Sequence, residues 1–251
     1  MSKNRGEYGS GIVRWVSVVA VAIMVTLVAA AKDKPDNAID SGTFGVFVKG
    51  QRVINETFSI HREESTSIIK AELKEAPGAP SVEQESTLEI GPNAELIRYA
   101  WSQRGGGSIE VLPRNEFLIE KITPPNGSKP AEQPFLMPNT SFILDNNFFV
   151  QREVLAWRYL ASDCQQVSGT LKCHKAPEEF GVVVPQDRIS MRVKMQLIGP
   201  EKVNIAGTDR ELLRLNLSGD SFNWAMWVDG HNHFKLMRID IPSDNIQVLR
   251  D

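Results

Sequence analysis

The chain has 251 residues, with 28 basic and 31 acidic side chains and a formal net charge of −3. Without residues 1–31 it keeps 25 basic and 30 acidic residues, a net charge of −5. That balance excludes a nucleic-acid binder relying on a basic footprint, and the length suits one good-sized core.

The N-terminus reads as an export segment. Lys3, Arg5 and Arg14 give a basic start, Trp15 to Ala31 is an apolar run broken by Ser17 and Thr26, and Ala29-Ala30-Ala31 precedes Lys32-Asp33-Lys34-Pro35. Basic, apolar and small-residue regions in that order form a secretory signal. Kept rather than cleaved, residues 12–31 become a membrane anchor, although the run is short for a span of about 20 residues. The expected organisation is a signal or anchor over 1–31, a polar spacer over 32–40 and one β-rich domain over 41–251. The expected location is periplasmic or extracellular, with the membrane touched only through residues 12–31.

From residue 41 the hydrophobic period is two. Phe44, Val46 and Val48 alternate with small or polar neighbours, and Lys49-Gly50-Gln51 turns the chain toward Ile54, Glu56, Phe58 and Ile60. Such alternation marks half-buried antiparallel strands. Further strands are predicted over 66–74, 84–90, 94–102, 107–112 and 115–122, with proline- and glycine-rich turns between several of them. Residues 123–138 hold five prolines and read as an extended connection. One helix is predicted over 144–162, with Asp145 as N-cap. Its apolar stripe should face the sheet, leaving Gln151, Arg152, Glu153 and Arg158 on the other side.

Cys164 and Cys173 are the two cysteines, and an even pair in an exported chain points to a disulfide closing a small hairpin-like loop. A metal pair with His174 is the rival reading, though it lacks a second cluster. After the loop, Ile189 to Leu197 alternates with one wet face, Leu213 to Leu217 alternates again, and Phe222, Trp224, Met226 and Val228 lead to a hairpin signal at Asp229-Gly230. Residues 233–241 and 246–249 finish the pattern. The predicted fold is mainly β, a curved, half-barrel-like antiparallel sheet covered by one amphipathic helix.

Chemical motifs are sparse. His231 and His233 have a metal-compatible spacing but sit at a hairpin tip, where a solvated turn is the ordinary reading. The run Gly105-Gly106-Gly107 lacks the following helix that a phosphate cradle needs. Glu83 with Glu85, and Glu116 with Glu120, are pairs any acidic chain offers. Trp101, Trp157, Trp224 and Trp227 are candidates to line an apolar ligand cavity, with aromatic core as the plain alternative. Trp224 and Trp227 differ in parity and should point to opposite faces of their strand.

Gly42-Thr-Phe-Gly-Val-Phe-Val-Lys-Gly-Gln-Arg-Val-Ile-Asn-Glu-Thr-Phe-Ser-Ile60 resembles the opening hairpin of exported bacterial proteins of unknown function. Trp227-Val-Asp229 followed by Leu236-Met-Arg-Ile-Asp-Ile-Pro242 resembles their closing hairpin. These proteins are similar in architecture to the periplasmic lipoprotein-carrier (LolA/LolB-like) half-barrels. The resemblance implies a curved sheet with helical cover and an apolar ligand, and it assigns no functional residues. The expected function is that of an exported envelope protein binding a lipid or other apolar ligand, without catalysis or cofactor. A structural or protein-interaction module of the envelope is the second reading. A metal-dependent hydrolase using His231 and His233 is the third.

Overall fold

The computed structural model describes residues 37–251, apart from 77, 79–80 and 168–169. The export segment expected over 1–31 lies outside the described residues. The chain divides into Met1–Pro35 and Asp36–Asp251, and the described residues belong to the second unit. No helix among the described residues is long and apolar enough to cross a membrane.

Fifteen strands form one sheet. The N-terminal arm is a meander of β1 (Ala38–Val48), β2 (Gln51–Glu63), β3 (Thr66–Glu75), β4 (Gln84–Ile90), β5 (Leu96–Gln103), β6 (Ser108–Arg114), β7 (Phe117–Thr123) and β8 (Ala131–Phe135). The short β9 (Phe142–Ile143) precedes helix α1 (Val150–Asp163) and a separate hairpin of β10 (Cys164–Val167) and β11 (Thr170–Cys173). The C-terminal arm comprises β12 (Glu178–Val184), β13 (Ile189–Ile205), β14 (Thr208–Ser218), β15 (Asn223–Asp229), β16 (Lys235–Ile241) and β17 (Ile246–Arg250). The arms join where β1 pairs antiparallel with β17, Phe44 opposite Arg250 and Val48 opposite Ile246. Among the described residues only β9 runs parallel to its neighbour, beside β12. A sheet of this width curls, and this one stops short of closing, with β8 and β9 at its edges.

The alternation expected from period two is present, with Phe58, Ile60, Ile69, Ala71, Leu88 and Val111 all in the main core. The strand β1 begins at Ala38, inside the segment read as spacer, and Asp40 is buried. Three strands of the sheet were not expected at all, the two-residue β9 among them. The strand β8 lies in the proline-rich connection, where Pro134 is at the sheet edge and need not donate to a ladder. The strand β12 pairs with β13 from Glu178 to Val184.

The helix departs most from expectation. It starts at Val150, not near Leu144, and Asp145 does not cap it. Instead the carboxylate of Glu56, from β2, accepts the backbone N–H groups of Phe149 at 2.6 Å and Val150 at 2.9 Å. A carboxylate there meets both the free N–H groups and the positive end of the helix dipole. Gln151, Arg152 and Glu153, assigned to the wet side, are all buried. The cause is topological: α1 lies inside the curl, so its first turns have no solvent face. Arg152 donates to the carbonyls of Asp145 and Phe148, and its guanidinium lies 5.2 Å from the Phe149 and Trp224 ring centres.

Arg250 ties the helix to the junction of the arms. Its guanidinium donates to both carboxylate oxygens of Asp40 at 2.7 Å and to Glu153 of α1 at 3.2 Å. It also lies over the rings of Phe44 and Phe58. Gly42 lies beside it, where a Cβ would sit 3.0 Å from a guanidinium nitrogen. Burial alone would raise the Asp40 pKa, but Arg250 and Lys235 outweigh it and hold the carboxyl below its ordinary value. Glu153 is pushed up to about 8 by burial, which Arg250 and the Leu236 N–H only partly offset.

The open seam is bridged by side chains. Gln133 of β8 donates to the Arg188 carbonyl at 3.0 Å. Gln186 donates to the Tyr99 hydroxyl at 3.2 Å, and that hydroxyl donates to Asp145. Tyr99, Val111, Glu120 and Gln133 are opposite one another on successive strands. Glu120 is therefore enclosed in the row that the 3-10 turn Pro185–Asp187 and Arg188 overlie. It is 0% exposed, and neither carboxylate oxygen has a hydrogen-bond partner. Burial pushes its pKa up to about 7, against a lowering by Arg188.

Two predictions follow from these buried charges. Arg250→Ala removes the one cation paired with buried Glu153 and leaves Asp40 with Lys235 alone, and should cost about 3–5 kcal/mol in urea unfolding. Glu120 keeps its proton in the fold between pH 4.5 and about 7, where the unfolded chain has lost it. Its contribution is present below pH 4.5 and is lost as pH rises through about 7. Glu120→Gln should then add about 2–3 kcal/mol at pH 8 and almost nothing at pH 4.5. Equal effects at both pH values would contradict this account.

Candidate functional site

The hollow of the sheet is occupied. Val150, Val154, Leu155, Ala156, Tyr159 and Leu160 of α1 pack with strand residues from both arms into one core. The four tryptophans do not share a pocket. Trp101 is half-buried and donates to Gln84 at 3.1 Å. Trp224 faces inward, against Phe222 and Arg152. Trp227 faces outward, as its parity requires, in a second cluster with Val203, Ile205, Leu212 and Met237. The far part of the β13–β14 hairpin supplies three of those residues, so it folds against the outer side of β15 and β16. Arg214 and Arg238 lie over the Trp227 ring at 5.8 and 5.1 Å, and its indole donates to Glu201 at 3.2 Å.

Trp101 and Trp157 both border open space, Trp101 a groove of about 490 Å³ walled by Glu85, Arg98, Glu110 and Lys121, Trp157 a more apolar one. A cleft of about 720 Å³ lies between the second half of α1 and the turns joining β2 to β3 and β4 to β5. Val154, Trp157 and Ala161 line its helical side, and Ile90 lines the strand side. Residues three and four apart share a helix face, so 154, 157 and 161 form one apolar stripe that runs from the core at Val154 out to the exposed Ala161. The indole N–H donates to the Phe234 carbonyl at 2.9 Å, which fixes the ring. Gly91 lies at the wall and is buried, and a Cβ there would fall 2.2 Å from Glu95 Oε1. Glu95 in turn accepts the Asn93 N–H at 2.9 Å and shapes the β4–β5 turn.

Two arginines border this apolar space. Arg158 is engaged: it donates to the Thr140 carbonyl at 2.8 Å and lies over Phe142 and Phe180 at 5.1 and 5.6 Å. Burial lowers its pKa, partly offset by Glu178. Arg62 is at the end of β2, where its backbone N–H donates to the Asn37 carbonyl at 2.9 Å. Its exposed guanidinium forms no ion pair among the described residues. Glu64 is the one carboxylate in the lining.

The other candidates stay apart from the cleft. His231 and His233 are exposed in the turn between β15 and β16, which spans five residues rather than the two of a tight Asp-Gly hairpin. The His231 N–H donates to the Asp229 carboxylate at 3.0 Å, and His233 has a φ of 54°. The Cys164 and Cys173 sulfurs are bonded to each other across β10 and β11. Among the described residues, Asp163 with these cysteines is the one group close enough to share an ion. There the sulfurs are consumed in the disulfide, and the Asp163 carboxylate accepts the N–H groups of Lys175 and Ala176. Glu116 is exposed in a turn while Glu120 is enclosed, so that pair shares no site.

Sequence reasoning named Trp157 but missed Arg62, Ile90 and Val154 as its neighbours. The spacing of 154, 157 and 161 was readable as one stripe. The approach of residue 62 to 158 was not, since it depends on α1 entering the sheet.

No family model matches this chain, and no curated protein matches it. Among solved structures it is similar to a crystal structure of a β-barrel-like protein of domain of unknown function DUF1849 from Brucella abortus. The two are 6% identical, with a TM-score of 0.46, over 84% of this chain and 94% of that one. The likeness is to a bacterial β-barrel-like protein and not to the lipoprotein carriers specifically, and it is too remote to carry a functional argument.

Proposed function

We propose that this chain is a non-catalytic protein of the cell envelope that binds a lipid or another apolar ligand, and that the ligand occupies the cleft beside Trp157. The observation behind this reading is the contrast between two spaces. The hollow of the sheet, where the carriers' architecture would suggest a ligand, is filled by α1 and its core neighbours. The cleft is open, has an apolar stripe of Val154, Trp157 and Ala161, and its volume falls within the roughly 300–1,000 Å³ of small-molecule sites. Export is supported by the apolar run Trp15 to Ala31 and by the disulfide, which suits an oxidising compartment.

The filled interior also favours a second reading, a structural or protein-interaction module of the envelope. Native mass spectrometry of the exported chain separates the two. Retained small molecules that leave on solvent extraction support ligand binding. A hydrophobic dye should also quench tryptophan fluorescence saturably, and Trp157→Ala should weaken its binding about tenfold or more. If no apolar probe binds at all, the second reading stands instead.

A further inference from the structure

Resting on the reading of the cleft as an apolar ligand site, we infer that its ligand is an anionic amphiphile: one acyl chain along the α1 stripe and a small anionic headgroup held by Arg62. Three observations converge on this. The walls offer a long apolar contact from Val154 through Trp157 to Ala161, facing Ile90. An acyl chain gains about 0.8 kcal/mol for each methylene removed from water along such a wall. The rim carries, at Arg62, an exposed guanidinium with no ion-pair partner among the described residues.

A free arginine is suited to a carboxylate or phosphate, which it can meet with two parallel hydrogen bonds. Ser65 and Ser67 also line the cleft, and their hydroxyls can donate to the same anion. The second cation, Arg158, is held by a carbonyl and two rings, with no carboxylate in an ion pair, so its positive field still reaches the cleft. The rest of the molecule works the other way. Residues 32–251 carry a net charge of −5, so an anion is repelled overall and any preference for it must arise locally. Glu64 opposes the preference and sets its size.

The test uses the exported chain with three probes: dodecanoate, dodecanol and acetate. Tryptophan quenching should give a tighter Kd for dodecanoate than for dodecanol by about fivefold, the scale of a rim charge pair. Acetate, which has the headgroup without the tail, should not compete. The preference should shrink in 0.5 M salt. Arg62→Gln should abolish it while leaving dodecanol binding unchanged, and Glu64→Gln should widen it. Arg114→Gln, an exposed arginine outside the cleft lining, should leave both affinities alone. Equal binding of the two amphiphiles, or a preference that survives Arg62→Gln, overturns the inference but leaves the cleft as an apolar site. Binding of neither amphiphile overturns the apolar site itself, and this inference with it.

Discussion

The carboxylate of Glu56 is the constraint on which the molecule turns. A curled sheet of fifteen strands leaves a hollow too wide for strand side chains alone to fill, and α1 fills it. A helix brought inside carries its free N–H groups with it, out of reach of water. Each would cost roughly 1–3 kcal/mol if left unpaired. Glu56 answers two of them from the middle of β2, at 0% exposure. The cost is visible in its own chemistry, since burial raises its pKa to about 7 against the pull of the two N–H groups and of Arg152. Glu153 repeats the device further along the helix, accepting the Leu236 N–H from β16. The helix is thus fixed to β2 in one arm and β16 in the other.

Much of this was legible residue by residue. The strands over 66–74 and 84–90 agree with β3 and β4 to within a residue, because there one face is wet and the alternation is clean. The opposite parity of Trp224 and Trp227 placed one inside and one outside. The small hairpin between the cysteines is also present. The misreadings share one cause. Gln151, Arg152 and Glu153 look like a solvent face, and only a structure with matching partners at Asp145, Glu56, Leu236 and Arg250 turns them inward. Those partners lie up to 97 residues away, beyond any local pattern. In the same way, β8 is short, contains Pro134 and lies at an edge, which blurs every cue that marks a strand.

The cleft shows the same division. Its helical wall follows from spacing, since 154, 157 and 161 fall on one side of α1. Its strand wall comes from turns that are unremarkable in sequence, Glu63 to Thr66 and Gly91 to Glu95. The tryptophans drew notice as a group because they are large and few, yet size alone did not separate the one bordering an apolar cleft from the other three. What separates Trp157 is its place on the second half of α1, where the helix reaches the rim of the sheet.

The pairing of β1 with β17 carries a kinetic consequence. Fifteen strands of the order run in two meanders whose neighbours are close in sequence, yet the ladder that unites them joins the first strand to the last. Arg250, which clasps Asp40 and Glu153, stands in that final strand. Neither meander can enclose α1 until β17 has been delivered. The closing step therefore waits on a loop of about two hundred residues, the kind of long-range contact that slows folding. A chain assembled this way keeps its core unenclosed until its final described strand is in place.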